Sequence, residues 1–163
     1  MFKKRIAEPG LSPFRLTIFS IIALFALVLG GLFALPIYSK EYTKIEINDL
    51  TLLAEIAASP QARITGLSGR TGVAELEGML FLFGDEDYHA IWMKNMLFPL
   101  DILWIKHGRV VDMEEEVSIP ARGASDVSLP VYKPDVPAEF VLELKSGFAK
   151  KYDVRIGDEV KIL

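Results

Sequence analysis

Six residues have side chains that suit a binding or catalytic site, and four of them lie within ten residues of one another. These four are Trp92, Lys94, Asn95 and Asp101, and the other two are Arg70 and Glu143. On a β-strand, Trp92 and Lys94 would point to the same face, because side chains alternate between the two faces. An aromatic platform flanked by hydrogen-bond donors and acceptors suits a sugar or another polar ligand. We therefore predict a ligand site formed by these six residues.

The same charged residues also allow a structural interpretation. Arg70 and Asp101 both lie beside strongly apolar segments, and a buried charge is tolerated only when it is paired. The two side chains would then form a buried ion pair that fixes the fold, while Asn95 would stabilise a turn. Residue types and spacing leave both interpretations open.

An enzymatic alternative rests on two carboxyl groups. Asp101 and Glu143 would act as a glycosidase pair, about 5–5.5 Å apart for retention or about 6.5–9.5 Å apart for inversion. The substrate would then be an envelope carbohydrate. Other reaction classes have less support, because the sequence has no cysteine and no Walker, G-x-G-x-x-G or H-E-x-x-H motif. Ser68 does not form a serine elbow, since Arg70 stands where that motif requires glycine.

Asp85, Glu86, Asp87 and His89 form a carboxylate-rich cluster with a nearby histidine. Such groups can bind divalent cations, but the stretch lacks the EF-hand spacing and is typical of a solvated acidic loop. We therefore expect no metal site and no cofactor. Residues 40–163 carry 14 Lys and Arg against 21 Asp and Glu, a net charge of −7. That charge argues against binding to nucleic acid.

Short strands joined by tight turns must position these side chains. Alternating apolar residues predict two hairpins, one of strands 42–47 and 50–57 with its turn at Asn48-Asp49, and one with its turn at His107-Gly108. Frequent turn signals of this kind indicate a mainly β domain.

Other segments complete this prediction. Residues 78–83 are apolar on both faces, which is typical of a central strand. Ser59 followed by Pro60 predicts the start of a short helix. Residues 84–87 and 118–138 are predicted to be loops. We expect a compact β-sandwich or barrel-like domain with one or two short helices.

The N-terminal region contains the longest apolar segment. Residues 16–35 carry no charge, and at about 1.5 Å per residue they span roughly 30 Å, the thickness of a bilayer's hydrocarbon core. Basic residues precede this run and a balanced flank follows it, which places the N-terminus in the cytoplasm. We predict a cytoplasmic basic segment (1–15), a transmembrane signal-anchor in the lipid bilayer (16–36), a tether (37–41) and an extracytoplasmic β domain (42–163). A cleaved signal peptide is the alternative, although its apolar region is usually shorter.

Several strings in the second half of the chain carry a family resemblance. They are Gly66-Leu67-Ser68-Gly69-Arg70, Gly78-Met79-Leu80-Phe81, Trp92-Met93-Lys94-Asn95-Met96 with Pro99-Leu100-Asp101, Pro137-Ala138 with Val141-Leu142-Glu143, and Gly157-Asp158. In this order and spacing the chain resembles domain-of-unknown-function family 192 from about Ile45 onward. Ser68 is a departure, since a methionine is expected there. The resemblance implies a compact β-sandwich-like domain, often behind a signal peptide or anchor in bacteria and archaea, and no established activity.

These observations together predict a single-pass protein of the bacterial inner membrane whose domain faces the periplasm or the cell exterior. The domain would bind a polar ligand or an envelope partner through the region from Trp92 to Asp101. Carbohydrate hydrolysis by Asp101 and Glu143 is the second hypothesis. A purely structural protein-interaction module is the third.

Protease added outside intact spheroplasts should digest the domain at 42–163 and leave a membrane-embedded fragment, because the charge asymmetry places the domain outside the cytoplasm. Immunoblotting against an N-terminal tag would detect that fragment. A cytoplasmic marker protein must stay intact in the same sample. Protection of the domain under these conditions would reverse the predicted orientation.

Overall fold

The structure, a computed structural model, describes residues 40–163. In that part of the chain no helix is long and apolar enough to cross a membrane. The predicted basic segment, the predicted signal-anchor and residues 37–39 of the predicted tether lie outside the described residues.

The described chain forms two β-sheets. The strands are β1 (Tyr42–Ile47), β2 (Leu50–Ala57), β3 (Glu77–Asp87), β4 (Ile91–Trp92), β5 (Leu100–Lys106), β6 (Arg109–Val117), β7 (Val131–Tyr132), β8 (Ala138–Lys145) and β9 (Val160–Ile162). The larger sheet has seven strands in the order β6-β5-β8-β3-β2-β1-β9, and β4 pairs with β7 in the smaller one. Within the larger sheet β2 and β3 run parallel, and the other neighbouring strands are antiparallel.

The large sheet is curled, because the strands at its two ends approach each other. The Val110 N–H donates to the Asp158 carbonyl (3.0 Å), and the Val160 N–H donates to the Gly108 carbonyl (2.8 Å). An isolated bridge joins Arg109 to Glu159 beside them. The result is a half-barrel, and the prediction of a mainly β fold is confirmed at that level.

Short helices connect some of the strands. They are α1 (Pro60–Thr65), α2 (Phe148–Tyr152) and a 3₁₀ helix (Asp126–Ser128). The Ser59 hydroxyl accepts a hydrogen bond from the Ala62 N–H (3.1 Å), which caps α1 as the sequence predicts. This helix lies in the crossover between the parallel strands β2 and β3, a connection that must pass over one face of the sheet.

Some of the predicted strands and loops agree with the structure, and one does not. Strands β1 and β2 match their predicted bounds, and His107 and Gly108 both have positive φ values (49° and 68°), as a tight hairpin turn requires. The predicted loop at 84–87 is wrong, because β3 continues through it to Asp87 with an irregularity in its pairing to β8. Gly84 takes a φ of 89° within that irregular stretch.

The segment after β4 is a turn and not a strand. Only Ile91 and Trp92 are in strand conformation. Asn95 has a φ of 56°, and the Met96 N–H donates to the Met93 carbonyl (3.2 Å). An asparagine tolerates this left-handed conformation better than most residues, so the chain reverses here. Asn95 therefore lies within a turn, and the predicted stabilisation of that turn by its side chain stays a prediction.

The sheet buries a hydrophobic core on each face. The first face carries α2 and includes Leu80, Leu103, Leu142 and Phe148. The second face carries α1 and includes Phe81, Ile102, Trp104 and Val141. Adjacent residues of β5 and β8 alternate between these two cores, so the face that each polar side chain enters is fixed by its position in the strand.

Asp101 enters the first face, where it is fully buried. Its Oδ1 accepts hydrogen bonds from the N–H groups of Glu116 (2.8 Å) and Gly147 (3.0 Å), and its Oδ2 accepts one from Ala149 (2.8 Å). The carboxylate thereby joins the end of β6 to the first turn of α2. The predicted ion pair between Arg70 and Asp101 is wrong, because backbone donors occupy both oxygens of this aspartate.

Asp101→Ala should destabilise the fold by about 3–5 kcal/mol, because three backbone donors lose their acceptor. Urea unfolding would measure the change, and the exposed Glu114→Ala in β6 should cost less than about 0.5 kcal/mol as a control. The double variant Arg70→Met with Asp101→Leu should not recover the loss, since these two residues are not partners. Recovery in the double variant would instead restore the ion-pair account.

Candidate functional site

A groove of about 330 Å³ opens on the second face of the sheet. Helix α1 and the residues that follow it form one wall, and β3 and β4 contribute the others. Its apolar lining includes Leu67, Phe81, Phe83, Ile91, Trp92 and Met96. Gly66 ends α1 with a φ of 49°, and a Cβ there would come within 3.3 Å of the Phe81 ring, so the helix approaches β3 closely. This groove is the candidate functional site.

Glu143 is the carboxyl group that lines the groove. It lies on β8 between two apolar partners, Met79 of β3 and Ile102 of β5, and it is only 5% exposed. Its Oε2 has no hydrogen-bond partner among residues 40–163. Burial raises the pKa of Glu143 from 4.5 to about 8, although the nearby charge of Arg70 acts to lower it. Glu143 is therefore a mostly neutral carboxylic acid at pH 7.

Arg70 is paired with Glu55 and not with Asp101. Its Nη1 and Nη2 donate to the two oxygens of Glu55 at 2.7 and 2.8 Å, and Lys40 adds a third hydrogen bond at 2.9 Å. The hydrogen bond from Arg70 is the largest influence lowering the pKa of Glu55, and the same bond raises the pKa of Arg70. Glu55 neighbours Met79 on the second face, so this bidentate pair lies near Glu143.

Trp92 stands at the rim of the groove, and Lys94 lies over its ring. The Trp92 side chain is 42% exposed, and the Lys94 ammonium lies 5.2 Å from the centroid of its ring. Lys94 also forms a salt bridge with Asp126 of the 3₁₀ helix. The two residues are thus together as predicted, although a turn brings them together and not a shared strand face.

The turn after Trp92 is fastened to the end of the α1 crossover by two hydrogen bonds. The Ser68 hydroxyl donates to the Lys94 carbonyl (2.7 Å), and the Gly69 N–H donates to the Asn95 carbonyl (2.9 Å). Ser68, which departs from the expected family pattern, therefore positions one end of the groove. Lys94 and Asn95 line a different surface groove beside residues 119–124.

The six predicted site residues are divided by the fold. Trp92 and Glu143 line one groove, Arg70 lies near Glu143, and Lys94 covers the Trp92 ring. Asp101 lies on the opposite face of the sheet, because its register partner is Leu144 whereas Ile102 pairs with Glu143. The proposed glycosidase pair is therefore wrong in its geometry, since both carboxyl groups would have to face one bond.

Arg63 was missed in the sequence. Its Nη1 donates to the carbonyls of Ala58 (2.6 Å) and Leu82 (2.7 Å), and its guanidinium lies 5.3 Å from the Phe83 ring centroid. No carboxylate lies within salt-bridge distance of it among the described residues. The sequence gives no signal for these contacts, because a basic residue in the last turn of a helix is expected to bond that helix's own final carbonyls, whereas Ala58 precedes α1 and Leu82 lies in β3.

The carboxylate-rich stretch at the end of β3 is arranged differently from the predicted cluster. Glu86, His107 and Glu139 each offer a ligand atom, and these atoms lie within 4.8 Å of one another. Lys106 already contacts Glu86 at 2.6 Å, and the imidazole of His89 stacks on Phe83 with centroids 3.7 Å apart. The lysine neutralises part of the charge that would attract a cation.

Comparison with known protein families assigns the chain to one of them. The model of domain-of-unknown-function family 192 (DUF192, described as an uncharacterized ACR) matches residues 43–162. The chain belongs to this family. The resemblance seen in the sequence motifs is thereby confirmed, and the groove lies wholly within the matched residues of this DUF192 domain. Comparison with curated proteins found no match.

Two crystal structures are similar to this DUF192 domain. A proposed transcription regulator from Sinorhizobium meliloti 1021 has 30% sequence identity and a TM-score of 0.66, over 77% of this chain and 95% of that one. A protein of unknown function from Novosphingobium aromaticivorans DSM 12444 has 24% identity and a TM-score of 0.64, over 77% and 89% of the respective chains. At its level of identity the second structure supports the fold alone.

Glu143→Gln should change how stability depends on pH. The raised pKa means that the folded state holds the proton more tightly than the unfolded state, so wild-type stability falls as pH rises from 4.5 to about 8. The loss is at most about 1.4 kcal/mol per pH unit within that window. Glutamine has no proton to lose, so urea unfolding at pH 5, 7 and 9 should show the variant gaining stability over wild type with rising pH.

The exposed Glu114→Gln provides the control for loss of a surface carboxyl group. Its stability should follow the wild-type pH profile. If Glu143→Gln also followed that profile, burial would not be raising the pKa of Glu143.

Proposed function

We propose that this protein is a membrane-anchored, extracytoplasmic binding protein whose groove takes a small ligand with an apolar body and one polar group. The anchor is the apolar segment at 16–36, and the domain faces the periplasm or the cell exterior. The ligand's apolar body packs along Trp92 and Phe81, and its polar group reaches Glu143. The protein binds this ligand and carries out no reaction on it.

One observation carries this proposal, namely the buried carboxyl group of Glu143 with an oxygen that lacks a partner in the described chain. A buried polar atom without a hydrogen bond costs about 1–3 kcal/mol. Native folds seldom accept that cost without a reason. A ligand that hydrogen-bonds to this carboxyl group would remove the cost on binding, and Glu143 is one of the residues that line the groove.

The form of the groove also supports ligand binding. Its walls are mainly apolar with few polar groups, which is typical of small-molecule sites. Its volume lies at the lower end of the range for such sites, about 300–1,000 Å³. Trp92 is partly exposed at the rim of the groove, so its indole ring can pack over a bound ligand.

Charge argues against a direct role on nucleic acid, although the S. meliloti relative is described as a proposed transcription regulator. The net charge of −7 in residues 40–163 would repel phosphate groups. Binding to nucleic acid is therefore not part of the proposed function. Hydrolysis by Asp101 and Glu143 also lacks support, because the two groups lie on opposite faces of the sheet.

A thermal-shift screen of the full-length protein against small neutral, cationic and anionic compounds would test the proposal. A ligand present at 100 times its dissociation constant should stabilise the domain by about 2.7 kcal/mol. Trp92→Ala should weaken binding at least about tenfold, because the ligand loses an aromatic wall. Nanodiscs are preferable to detergent, which would compete for an apolar groove.

Tyr88→Ala is the matched control, because Tyr88 is similarly exposed (51%, against 42% for Trp92) but is not part of the groove. Its affinity should equal that of the wild type. A ligand that bound Trp92→Ala as tightly as the wild type would occupy another site and contradict the proposal.

A further inference from the structure

We infer that the ligand group contacting Glu143 is a neutral carboxamide or lactam, which accepts one hydrogen bond from this side chain and donates another to it. This inference rests on the proposed function and adds the chemical class of the ligand. It follows from the surroundings of the carboxyl group, from the charges around the groove and from the hydrogen-bonding geometry of a carboxylic acid.

The surroundings of Glu143 favour its uncharged form. Its neighbours across the sheet are the buried side chains of Met79 and Ile102, and the groove beside it is lined by Leu67 and Phe81. Transfer of a charged carboxylate into such an apolar site costs far more than transfer of the neutral acid. The pKa of about 8 is consistent with this geometry.

The charged groups that face this region disfavour a cationic ligand. The positive charge of Arg70, in the α1 crossover, acts to lower the pKa of Glu143. The Arg70 guanidinium is already bound to Glu55 through two hydrogen bonds. Arg63 lines the groove from α1, and it is held by backbone carbonyls that leave its charge uncompensated. Lys94 adds a further positive charge over the Trp92 ring, offset by its salt bridge to Asp126. An ammonium ligand would be repelled by these positive charges and would find no negative charge on the neutral Glu143.

An anionic ligand is disfavoured for a different reason. Arg63 would attract it at the groove, but the carboxylate would then lie against the buried side chain of Glu143. Any ionisation of Glu143 would place two negative charges together in an apolar site. A neutral ligand avoids both conflicts.

A carboxylic acid presents a donor and an acceptor side by side in one plane. A carboxamide or lactam offers the complementary acceptor and donor with the same spacing, so the two groups can form a pair of parallel hydrogen bonds. An alcohol or a sugar hydroxyl lacks this planar pair. The carboxamide therefore satisfies the carboxyl group, including the Oε2 atom that has no partner in residues 40–163.

Three isosteric probes separate these ligand classes. Benzamide, benzamidinium and benzoate share a ring and a planar head group, and they carry charges of 0, +1 and −1. The chain has two tryptophans, Trp92 at the groove and the fully buried Trp104, so 5-fluorotryptophan labelling of the full-length protein gives one reporter and one internal reference. The probes would be titrated at pH 6 and pH 9 while both fluorine resonances are followed.

We expect benzamide to shift the Trp92 resonance, to leave Trp104 in place and to bind more tightly than the charged probes. Its dissociation constant should rise about tenfold from pH 6 to pH 9, because only about one-tenth of the protein keeps the Glu143 proton at the higher pH. Glu143→Gln keeps a donor and an acceptor, so it should bind benzamide equally at both pH values. Glu143→Leu should lose the binding while the Trp104 resonance reports an intact fold.

The contrary outcomes have separate meanings. Tightest binding of benzamidinium, strengthening as pH rises, would overturn the inference in favour of a cation site. Tightest binding of benzoate would overturn it in favour of an anion site at Arg63. Benzamide binding that Glu143→Leu leaves intact would overturn it as well. If none of the probes shifted the Trp92 resonance, the groove-binding function itself would fail.

Discussion

The alternation of side chains along β5 and β8 is the constraint on which the rest of the structure depends. The register of these neighbouring strands pairs Asp101 with Leu144 and Ile102 with Glu143, so two carboxyl groups that lie one step apart enter opposite faces of the sheet. On the face that carries α2, three backbone N–H groups reach Asp101 and bind both of its oxygens. On the other face Glu143 lies among apolar side chains and keeps one oxygen without a partner in the described chain. One acid therefore stabilises the fold, and the other is available for function.

The parallel pairing of β2 and β3 explains why a groove exists beside Glu143. Parallel neighbours need a crossover, and here it consists of α1 and the loop that follows. A helix of six residues is too short to cover the second face of the sheet, so an open space is left between α1 and β4. Arg63 ties the helix to the sheet by donating hydrogen bonds to the carbonyls of Ala58, directly after β2, and Leu82 of β3. The groove is thus a consequence of topology, and the hydrogen bonds of Arg63 fix the position of one of its walls.

Local signals in the sequence were sufficient to predict the hairpins, the Ser59 cap and the mainly β class, because each depends on residues close together in the chain. The partner of Arg70 could not be predicted in this way. It depends on β2 lying beside β3, which brings Glu55 to the face where Arg70 arrives, and strand order is a property of the whole sheet. The site was predicted in part for the same reason. The motif around Trp92 located one wall of the groove, but which of two acids shared that groove was decided by register.

The stability of the fold does not explain why residue 143 is an acid. Val141 lies two residues earlier on the same strand and face, and it is a buried apolar residue of the core. An apolar residue at 143 would pack equally well against Met79 and Ile102, and it would avoid the cost of a buried carboxyl group. The nearby guanidinium of Arg70 does not remove that cost, because Glu55 already holds it. Packing alone therefore gives no reason for an acid at this position, whereas a polar ligand in the adjoining groove does.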